Sequence, residues 1–181
     1  MNIDVRLTDK SEAYLIKNLY PLYLYDLSGH YGRMPNVHGI YEESDDFRTI
    51  IEQYEVQNIW WEKSKVLFPY IILVDGVPAG FLLLATPPHC NKGIDYFVNE
   101  FFLIQSLRGK GIAERAANIV FDQFKGNWEL FTNPSEKNIV AQKFWRKAIS
   151  NYTNGVYTEV KKETFDGYKL VFRFNNADMI L

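Results

Sequence analysis

Cysteine and histidine are scarce in this sequence of 181 residues, which has one Cys, Cys90, and three His. A single cysteine excludes an internal disulfide and any metal cluster built from several thiolates, and it fits a reducing cytoplasm. His30, His38 and His89 show no metal-ligand spacing. We therefore expect neither a structural disulfide nor a metal ion.

Long hydrophobic runs and a strong net charge are also missing. The longest apolar runs, such as residues 81–85, are far shorter than the roughly 20 residues of a membrane-spanning helix. The first ten residues carry mixed charge without an apolar stretch, so no secretory signal is expected. Twenty basic residues against 22 acidic ones give a net charge of −2, which excludes a basic field over the whole protein for DNA or RNA. We expect a cytoplasmic protein without a membrane or nucleic-acid partner.

Aromatic residues are abundant, with 13 Phe, 12 Tyr and 4 Trp. Such large planar side chains build a core or line a small-molecule pocket. A hydrophobic fraction of 47% and a charged fraction of 23% are typical of a folded protein and exclude intrinsic disorder. The length suits a single domain over residues 1–181, and no repeat or linker-like tract interrupts it.

Hydrophobic periodicity predicts several strands. Ile3, Val5 and Leu7 alternate with polar residues, as in a short strand. The tight-turn pair Asp75-Gly76 between two apolar runs predicts a β-hairpin. The mostly apolar run 94–104 is typical of a central, buried strand. The strands predicted after the first are residues 70–74, 77–85, 94–104, 128–132, 156–160 and 168–174.

Capping residues and breakers predict the helices. Ser11 is expected to cap a helix that runs to about Tyr20 and is interrupted by Pro21. Residues 28–44 hold several Gly and Pro breakers and are expected to form an irregular loop. Ser44-Asp45-Asp46 predicts the start of a helix that ends near residue 57. Two more helices are predicted at residues 111–125 and 135–150. This order of elements predicts an α/β (α+β) fold, with a mixed sheet and helices on its faces.

The most informative segment is the glycine-rich turn after the predicted central strand, Arg108-Gly-Lys-Gly-Ile-Ala113. A helix opens directly after it, and the first N–H groups of that helix have no partner inside the helix. Together with the helix dipole they form a site for an anion such as phosphate, which Arg108 and Lys110 also attract. Gly109 and Gly111 allow the backbone to turn tightly and to approach a ligand closely.

The spacing of this turn distinguishes between phosphate-binding loops. A Walker loop needs G-x-x-x-x-G-K-[ST], but the residue five before Gly109 is Ile104. A dinucleotide fingerprint needs G-x-G-x-x-G, but residue 114 is Glu. The pattern that fits is [QR]-x-x-G-x-[GA], beginning at Arg108. Farther along the chain, Asn138-Ile-Val-Ala-Gln-Lys-Phe-Trp145 resembles the helix pattern N-x-x-A-x-x-[FL]-Y.

On these two motifs the sequence resembles the GNAT superfamily of N-acetyltransferases. The resemblance covers about residues 70–175, the acyl-CoA-binding core. Residues 1–65 match only in outline, as the substrate-side part that varies within the family. The resemblance implies a mixed, mostly antiparallel sheet of six to seven strands flanked by about four helices. It also implies that the two central parallel strands, 94–104 and 128–132, splay apart around the pantetheine arm of acetyl-coenzyme A (acetyl-CoA).

The resemblance also implies which residues bind acetyl-CoA, the co-substrate. Main-chain groups near Phe102, Leu103 and Ile104 pair with the pantetheine amides, and the Leu103 N–H faces the thioester oxygen. Asn138 hydrogen-bonds coenzyme A. The pyrophosphate lies at the turn formed by Arg108, Gly109, Lys110, Gly111, Ile112 and Ala113.

Direct attack by an amine on the thioester requires the removal of a proton. An amine with a pKa near 10.4 is neutral in about one molecule in 2,500 at pH 7, so a base at the site speeds the reaction. Glu100 is the candidate base, because some polyamine-type members of the family carry an acidic pair before Phe-Phe and this chain has Asn99-Glu100 there. Strand alternation places Asn99 and Glu100 on opposite faces, so only one is expected to face the cleft. The alternative is that Glu100 is an ion-paired residue beneath a helix.

The general acid is not identified by the sequence. The family places a tyrosine on the last helix, where this chain has Trp145, and an indole is not a useful acid. Water, Tyr152 or Tyr157 is expected to replace it, or the thiolate leaves without a proton.

The resemblance thus implies an N-acetyltransferase that moves an acetyl group from acetyl-CoA to a primary amine of a small molecule or a peptide. The alternative is a catalytically silent acyl-CoA-binding module, because Asn99 and Trp145 depart from the family's acid pair and tyrosine. A third interpretation is a domain that binds another nucleotide. The sequence leaves the acceptor open, and also the oligomeric state, monomer or homodimer.

Overall fold

The computed structural model describes residues 1–42 and 45–178, and it forms one seven-stranded sheet with helices on both faces. The strands are Ile3–Leu7 (β1), Leu67–Val74 (β2), Val77–Ala85 (β3), Tyr96–Leu103 (β4), Asn127–Thr132 (β5), Thr158–Thr164 (β6) and Gly167–Asn175 (β7). The α-helices are Ala13–Tyr31 (α1), Ile50–Val56 (α2), Ile59–Glu62 (α3), Ile112–Phe121 (α4) and Ile139–Thr153 (α5). Short 3₁₀ turns lie at Lys10–Glu12, Gln105–Leu107 and Glu136–Asn138.

The strand order confirms the predicted mixed sheet. The strands follow one another as β1-β2-β3-β4-β5-β7-β6. Every neighbouring pair is antiparallel except β4 and β5, which are parallel and lie at the centre. In the described part of the chain, four helices of seven residues or more flank this sheet, and α3 adds a single turn.

Different helices cover the two faces of the sheet. Helices α4 and α5 place Ile112 and Ile149 in the core on one face. Helices α1 and α3 place Ile16 and Trp60 in the core on the other. Because both faces are covered, β2 and β3 are apolar at nearly every position rather than at alternate ones. Within the described residues, none of the helices combines the length and the apolar character that crossing a membrane requires.

The hairpin predicted at Asp75-Gly76 is confirmed. Strands β2 and β3 pair antiparallel around this turn, and Asp75 and Gly76 have φ values of +51° and +80°. Two successive positive φ values are typical of the turn type whose twist matches that of the flanking strands. The other predicted strands are confirmed with boundaries that differ by a few residues.

The prediction that Pro21 interrupts the first helix is wrong. Helix α1 passes through Pro21 and ends at Tyr31, so residues 28–31 are helical rather than part of a loop. A proline inside a helix costs about 3 kcal/mol, because it removes a backbone donor and crowds the preceding turn. Aromatic packing offsets this cost, since Tyr20 is buried and stacks on Phe81 of β3 with ring centroids 5.9 Å apart.

The predicted starts of the first two helices also need correction. Asp9 rather than Ser11 caps the first turn, because its carboxylate accepts the Ser11 N–H at 2.7 Å. The second helix begins at Ile50, where Thr49 and Glu52 form a reciprocal capping box. Its predicted start at residues 44–46 is wrong; Ser44 itself lies outside the described residues.

Candidate active site

A cleft opens where the two parallel strands β4 and β5 separate. They pair only from Tyr96 to Val98, opposite residues 128–130. Beyond Val98, β4 keeps its partner β3 and β5 keeps its partner β7. The gap forms a cleft of about 1070 Å³, at the upper end of the range for small-molecule sites. This separation confirms the predicted splay.

A β-bulge at Asn99 determines what β4 presents to the cleft. Glu100 pairs with Leu83 and Val98 pairs with Leu84, so Asn99 is the extra residue. The expectation that only one of Asn99 and Glu100 faces the cleft is wrong, because both line it. The bulge interrupts the alternation on which that expectation rested.

The cleft passes through the sheet and connects its two faces. On the face covered by α4 and α5 it is lined by Phe101 and Trp145, whose ring centroids lie 5.3 Å apart. On the face covered by α1 it is lined by Tyr23 and Phe102, 5.9 Å apart. The gap between β4 and β5 is therefore lined from both faces of the sheet.

Glu100 lies at this gap, beneath α1. The Tyr20 hydroxyl donates a hydrogen bond of 2.8 Å to its Oε1, whereas its Oε2 is buried without a hydrogen-bond partner among the described residues. Burial raises the pKa of this carboxyl from 4.5 to about 7; the Tyr20 hydrogen bond opposes the shift, and the charges of Asp166 and Glu42 add to it. Within the described chain Glu100 forms no ion pair, so the partner that holds it is a tyrosine.

The glycine-rich turn leaves the start of α4 open. Gly109 and Gly111 both have a φ of +76°, which side chains rarely adopt. As the N-cap of α4, Gly111 offers no side chain to the first N–H groups of the helix. A Cβ added at either glycine would meet no protein atom within 4 Å. The positive end of α4 is therefore accessible to an anion, with the exposed Lys110 beside it.

The Arg108 side chain connects this turn to α1. Its Nη1 and Nη2 donate to the two carboxylate oxygens of Asp26, at 3.1 and 2.8 Å. Its Nε donates to the main-chain oxygen of Leu103, at 2.9 Å. Three of the five N–H groups of the guanidinium are therefore bound within the protein.

The main chain of Leu103 faces the gap. The next residue, Ile104, donates its N–H to the Ala79 oxygen of β3, at 2.9 Å. Successive residues of an antiparallel strand direct their N–H and C=O groups to opposite sides, so those of Leu103 point away from β3. The Leu103 N–H is thus directed toward the space between the two parallel strands.

Comparison with known proteins agrees with this geometry. The sequence profile described as "Acetyltransferase (GNAT) family" matches residues 35–149, more than half of the chain. The chain belongs to the GNAT acetyltransferase family. The resemblance seen in the sequence is therefore confirmed. A search of curated protein sequences finds no significant match.

Solved structures share the GNAT fold at low sequence identity. An acetyltransferase from Thermus thermophilus is 12% identical, with a TM-score of 0.65 and 97% of each chain covered. A ribosomal-protein-S5-alanine acetyltransferase from Vibrio fischeri is 18% identical, with a TM-score of 0.63 and coverage of 98% of this chain and 95% of that one. AAC(6')-Ib in complex with ribostamycin and coenzyme A is 13% identical, with a TM-score of 0.65 and coverage of 97% and 94%.

Most of the GNAT site residues predicted from the sequence line the cleft. These are Glu100, Phe102, Leu103, Arg108, Gly109, Ala113 and Asn138. Asn138 is buried, and its Nδ2 donates to Thr132 Oγ1 and to the Asn133 oxygen at the end of β5. Among the described residues, the lining does not include Ile104, Lys110, Gly111 or Ile112, which form the adjoining strand end and turn.

The tyrosines proposed as general acids lie away from the GNAT cleft. Tyr152 is buried, donates to Asp122 Oδ1 at 2.9 Å, and has its pKa raised by burial to about 12. Tyr157 packs against Phe172. Neither is among the described lining residues, whereas Trp145 is. No group of three or more metal-binding side chains occurs in the part of the chain that the structure describes.

Two functional candidates on α1 were missed by sequence reasoning. Tyr20 binds the carboxylate of Glu100, and Asp26 binds Arg108. Tyr20 belongs to the aromatic stretch 20–25, which the sequence shows but whose partners it does not identify. No sequence signal marks Asp26, because its partner lies 82 residues away in the chain.

Proposed function

We propose that the chain transfers an acetyl group from acetyl-CoA to a primary amine by direct attack. The observation that carries this proposal is Glu100, a carboxyl held by Tyr20 in the gap between β4 and β5, with a second oxygen that is buried without a hydrogen-bond partner among the described residues and a pKa of about 7. A carboxyl with such a pKa takes up a proton effectively near neutral pH. Membership of the GNAT family supports the transfer itself.

The turn before α4 holds the diphosphate end of the co-substrate in this proposal. The accessible N–H groups from Gly109 to Ala113 and the dipole of α4 favour an anion there. The pantetheine arm then lies between β4 and β5, where the Leu103 N–H is directed into the gap. The main-chain groups of Ile104 are already bonded to Ala79 and Leu107, and those of Phe102 face β3. Asn138, fixed at the end of β5, contacts the arm from the other side.

Glu100 acts as the base. It takes a proton from the amine, which enters from the α1 face. As the amine attacks, negative charge develops on the thioester oxygen, and the Leu103 N–H stabilises that charge. In this proposal the departing thiolate takes a proton from water; Trp145 is no acid, and Tyr152 and Tyr157 are not among the described lining residues.

The acceptor in this proposal is an amine of a small molecule or peptide. Among the structural neighbours, one is named for acetylating an alanine of a ribosomal protein, and another binds ribostamycin together with coenzyme A. On the α1 face the cleft is walled by aromatic side chains, among them Tyr23 and Phe165, while Asp166 is ion-paired with Lys169 of the same lining. Aromatic faces attract a protonated amine before it gives up its proton.

A thiol-release screen tests the proposal. Acetyl-CoA is supplied with polyamines, aminoglycosides, amino acids and peptides, and free thiol is measured with wild type and Glu100→Gln. We expect at least one amine to provoke release by wild type, and Glu100→Gln to slow it by about 100-fold or more. Release that does not depend on Glu100 would remove the base from the mechanism.

The second candidate function is a silent acyl-CoA-binding module, favoured by Trp145 at the position of the family's tyrosine. Such a module is stabilised thermally by coenzyme A, yet no amine provokes release of thiol. Competition between acetyl-CoA and ATP in the same melting assay separates both functions from a site for another nucleotide. Stabilisation by ATP alone would contradict both.

A further inference from the structure

We propose that Asp26 is a positioning residue for acetyl transfer. Through Arg108 it holds the end of β4, which offers the Leu103 N–H to the thioester oxygen. The proposal rests on the function proposed above and assigns a role to a residue of α1 that does not contact the reacting atoms itself.

Asp26 and Arg108 form a forked ion pair at the cleft. Both terminal nitrogens of Arg108 bind the Asp26 carboxylate, at 3.1 and 2.8 Å, and the Nε binds the Leu103 oxygen at 2.9 Å. A guanidinium is planar and its N–H groups have fixed directions. When the Asp26 carboxylate binds Nη1 and Nη2, it therefore also fixes the direction of the Nε–H bond to the Leu103 oxygen.

The splay explains why the end of β4 needs this support. In a continuous sheet the neighbouring strand would donate to the Leu103 oxygen, but β5 is paired with β4 only as far as Val98. Arg108 provides the donor instead. On the other edge of the same peptide group, the Ile104 N–H binds the Ala79 oxygen. The peptide group between Leu103 and Ile104 is thus held from both sides, and one side depends on Asp26.

Helix α1 holds two parts of the site at once. Tyr20 binds Glu100, and Asp26 binds Arg108. The candidate base and the candidate oxyanion donor are therefore positioned by a single helix. A displacement of about 1 Å in such groups costs up to about 100-fold in rate.

The chain offers a matched control for the Asp26–Arg108 pair. The side chains of Arg108 and Asp26 are 38% and 35% exposed. Arg6 and Glu12 form another forked pair, with bonds of 2.8 and 2.7 Å and side chains that are 40% and 30% exposed. This second pair lies at the opposite end of α1, away from the cleft lining. Ion pairs that are so exposed add little to folding stability, so substitutions in either pair are expected to leave the protein folded.

The experiment compares Asp26→Asn, Arg108→Lys and Glu12→Gln in the full chain. For Asp26→Asn and Arg108→Lys we expect a kcat about tenfold or more below wild type. We expect the Kd for coenzyme A to stay within about threefold, because the main-chain amides of the turn remain. The low-pH limb of the rate profile should stay in place, since Asp26 is not among the groups that shift the Glu100 pKa. Glu12→Gln should keep the wild-type kcat.

A kcat of Asp26→Asn within twofold of wild type, or an equal loss in Glu12→Gln, would overturn the proposal. A second measurement does not need activity: the Ile104 amide should exchange its hydrogen faster in Asp26→Asn and at the wild-type rate in Glu12→Gln. If wild type releases no thiol with any amine, the proposed function fails, and hydrogen exchange alone decides whether Asp26 holds the end of β4. An unchanged exchange rate then overturns that role too.

Discussion

The hydroxyl of Tyr20 donates a hydrogen bond of 2.8 Å to Oε1 of Glu100, across the contact between α1 and β4. The bond fixes one carboxylate oxygen and leaves the other, Oε2, without a partner in the described structure. Because burial raises the pKa of Glu100 to about 7, its charge changes within the physiological pH range. The protonation state of a carboxyl held in the cleft by Tyr20 therefore changes near neutral pH.

Activity should depend on pH through Glu100. The carboxyl accepts a proton only when it is ionised, so kcat/KM of wild type should fall as the pH drops through about 7. Glu100→Gln should lower kcat by about 100-fold or more and lose this limb of the profile. Thiol release measured between pH 5.5 and 9 checks both effects. A Glu100→Gln variant that keeps the limb would assign it to another group.

Stability should depend on the same carboxyl. Its pKa is about 7 in the folded chain and near 4.5 when unfolded, so the folded state binds the proton more tightly. This stabilising contribution is complete below pH 4.5 and is lost as the pH rises through 7. The free energy of unfolding of wild type should therefore fall relative to that of Glu100→Gln between pH 5 and 8, by at most about 3 kcal/mol. Denaturant titrations of both proteins at pH 5 and pH 8 measure this difference in the free energy of unfolding. A difference that is the same at both pH values would contradict a raised pKa of Glu100.

Tyr20→Phe should move the pH profile without removing it. The Tyr20 hydroxyl lowers the pKa of Glu100, so its loss should shift the low-pH limb of kcat/KM above 7. The rate should decline at pH 7 and recover at pH 9. Tyr14→Phe is the matched control, because Tyr14 lies on the same helix and is 55% exposed. An unshifted limb in Tyr20→Phe would mean that this hydrogen bond does not act on the base.

Gly111→Val should abolish coenzyme A binding while the chain still folds. A Cβ at residue 111 meets no protein atom within 4 Å, so the valine side chain would occupy open space at the start of α4, where the diphosphate is proposed to bind. The positive φ adds about 1–2 kcal/mol of strain. Gly93→Val is the control, since Gly93 has a φ of +84° and equally open surroundings but lies in the turn before β4 rather than in the turn that opens α4. Calorimetry with coenzyme A distinguishes the two; binding retained in Gly111→Val would place the diphosphate elsewhere.

The second half of the fold was predictable because its signals are local. The Asp75-Gly76 turn, the apolar strands and the glycine-rich turn before α4 each lie within a few adjacent residues. Pro21 was misinterpreted because packing of Tyr20 on Phe81 overrides a local breaker. The bulge at Asn99 was also missed, because it exists only in the register between β3 and β4.

The residues of the candidate site likewise fall into those that a local motif predicts and those that depend on distant partners. The turn residues Gly109 and Gly111 follow from a motif, whereas the partners of Glu100 and Arg108 lie 80 and 82 residues away on α1. Such pairs come together only when the helix packs on the sheet. Residues such as Tyr20 and Asp26 therefore required the structure.

Gly80→Ala should damage the end of β4 directly. A Cβ at Gly80 would overlap the main-chain oxygen of Phe102 and lie 3.0 Å from the Leu103 Cα, and neither backbone atom can rotate away. Strand β4 must then move from β3, at a cost of about 1–3 kcal/mol in the free energy of unfolding. Because Leu103 moves with it, kcat should fall more than the affinity for coenzyme A. Gly29→Ala is the control: it lies in α1 with no atom within 4 Å of its Cβ, and it should stabilise the chain by about 0.5–1 kcal/mol. Denaturant unfolding and thiol release of the two variants give both quantities, and a Gly80→Ala protein with the wild-type stability and kcat would show that β4 does not need this close contact.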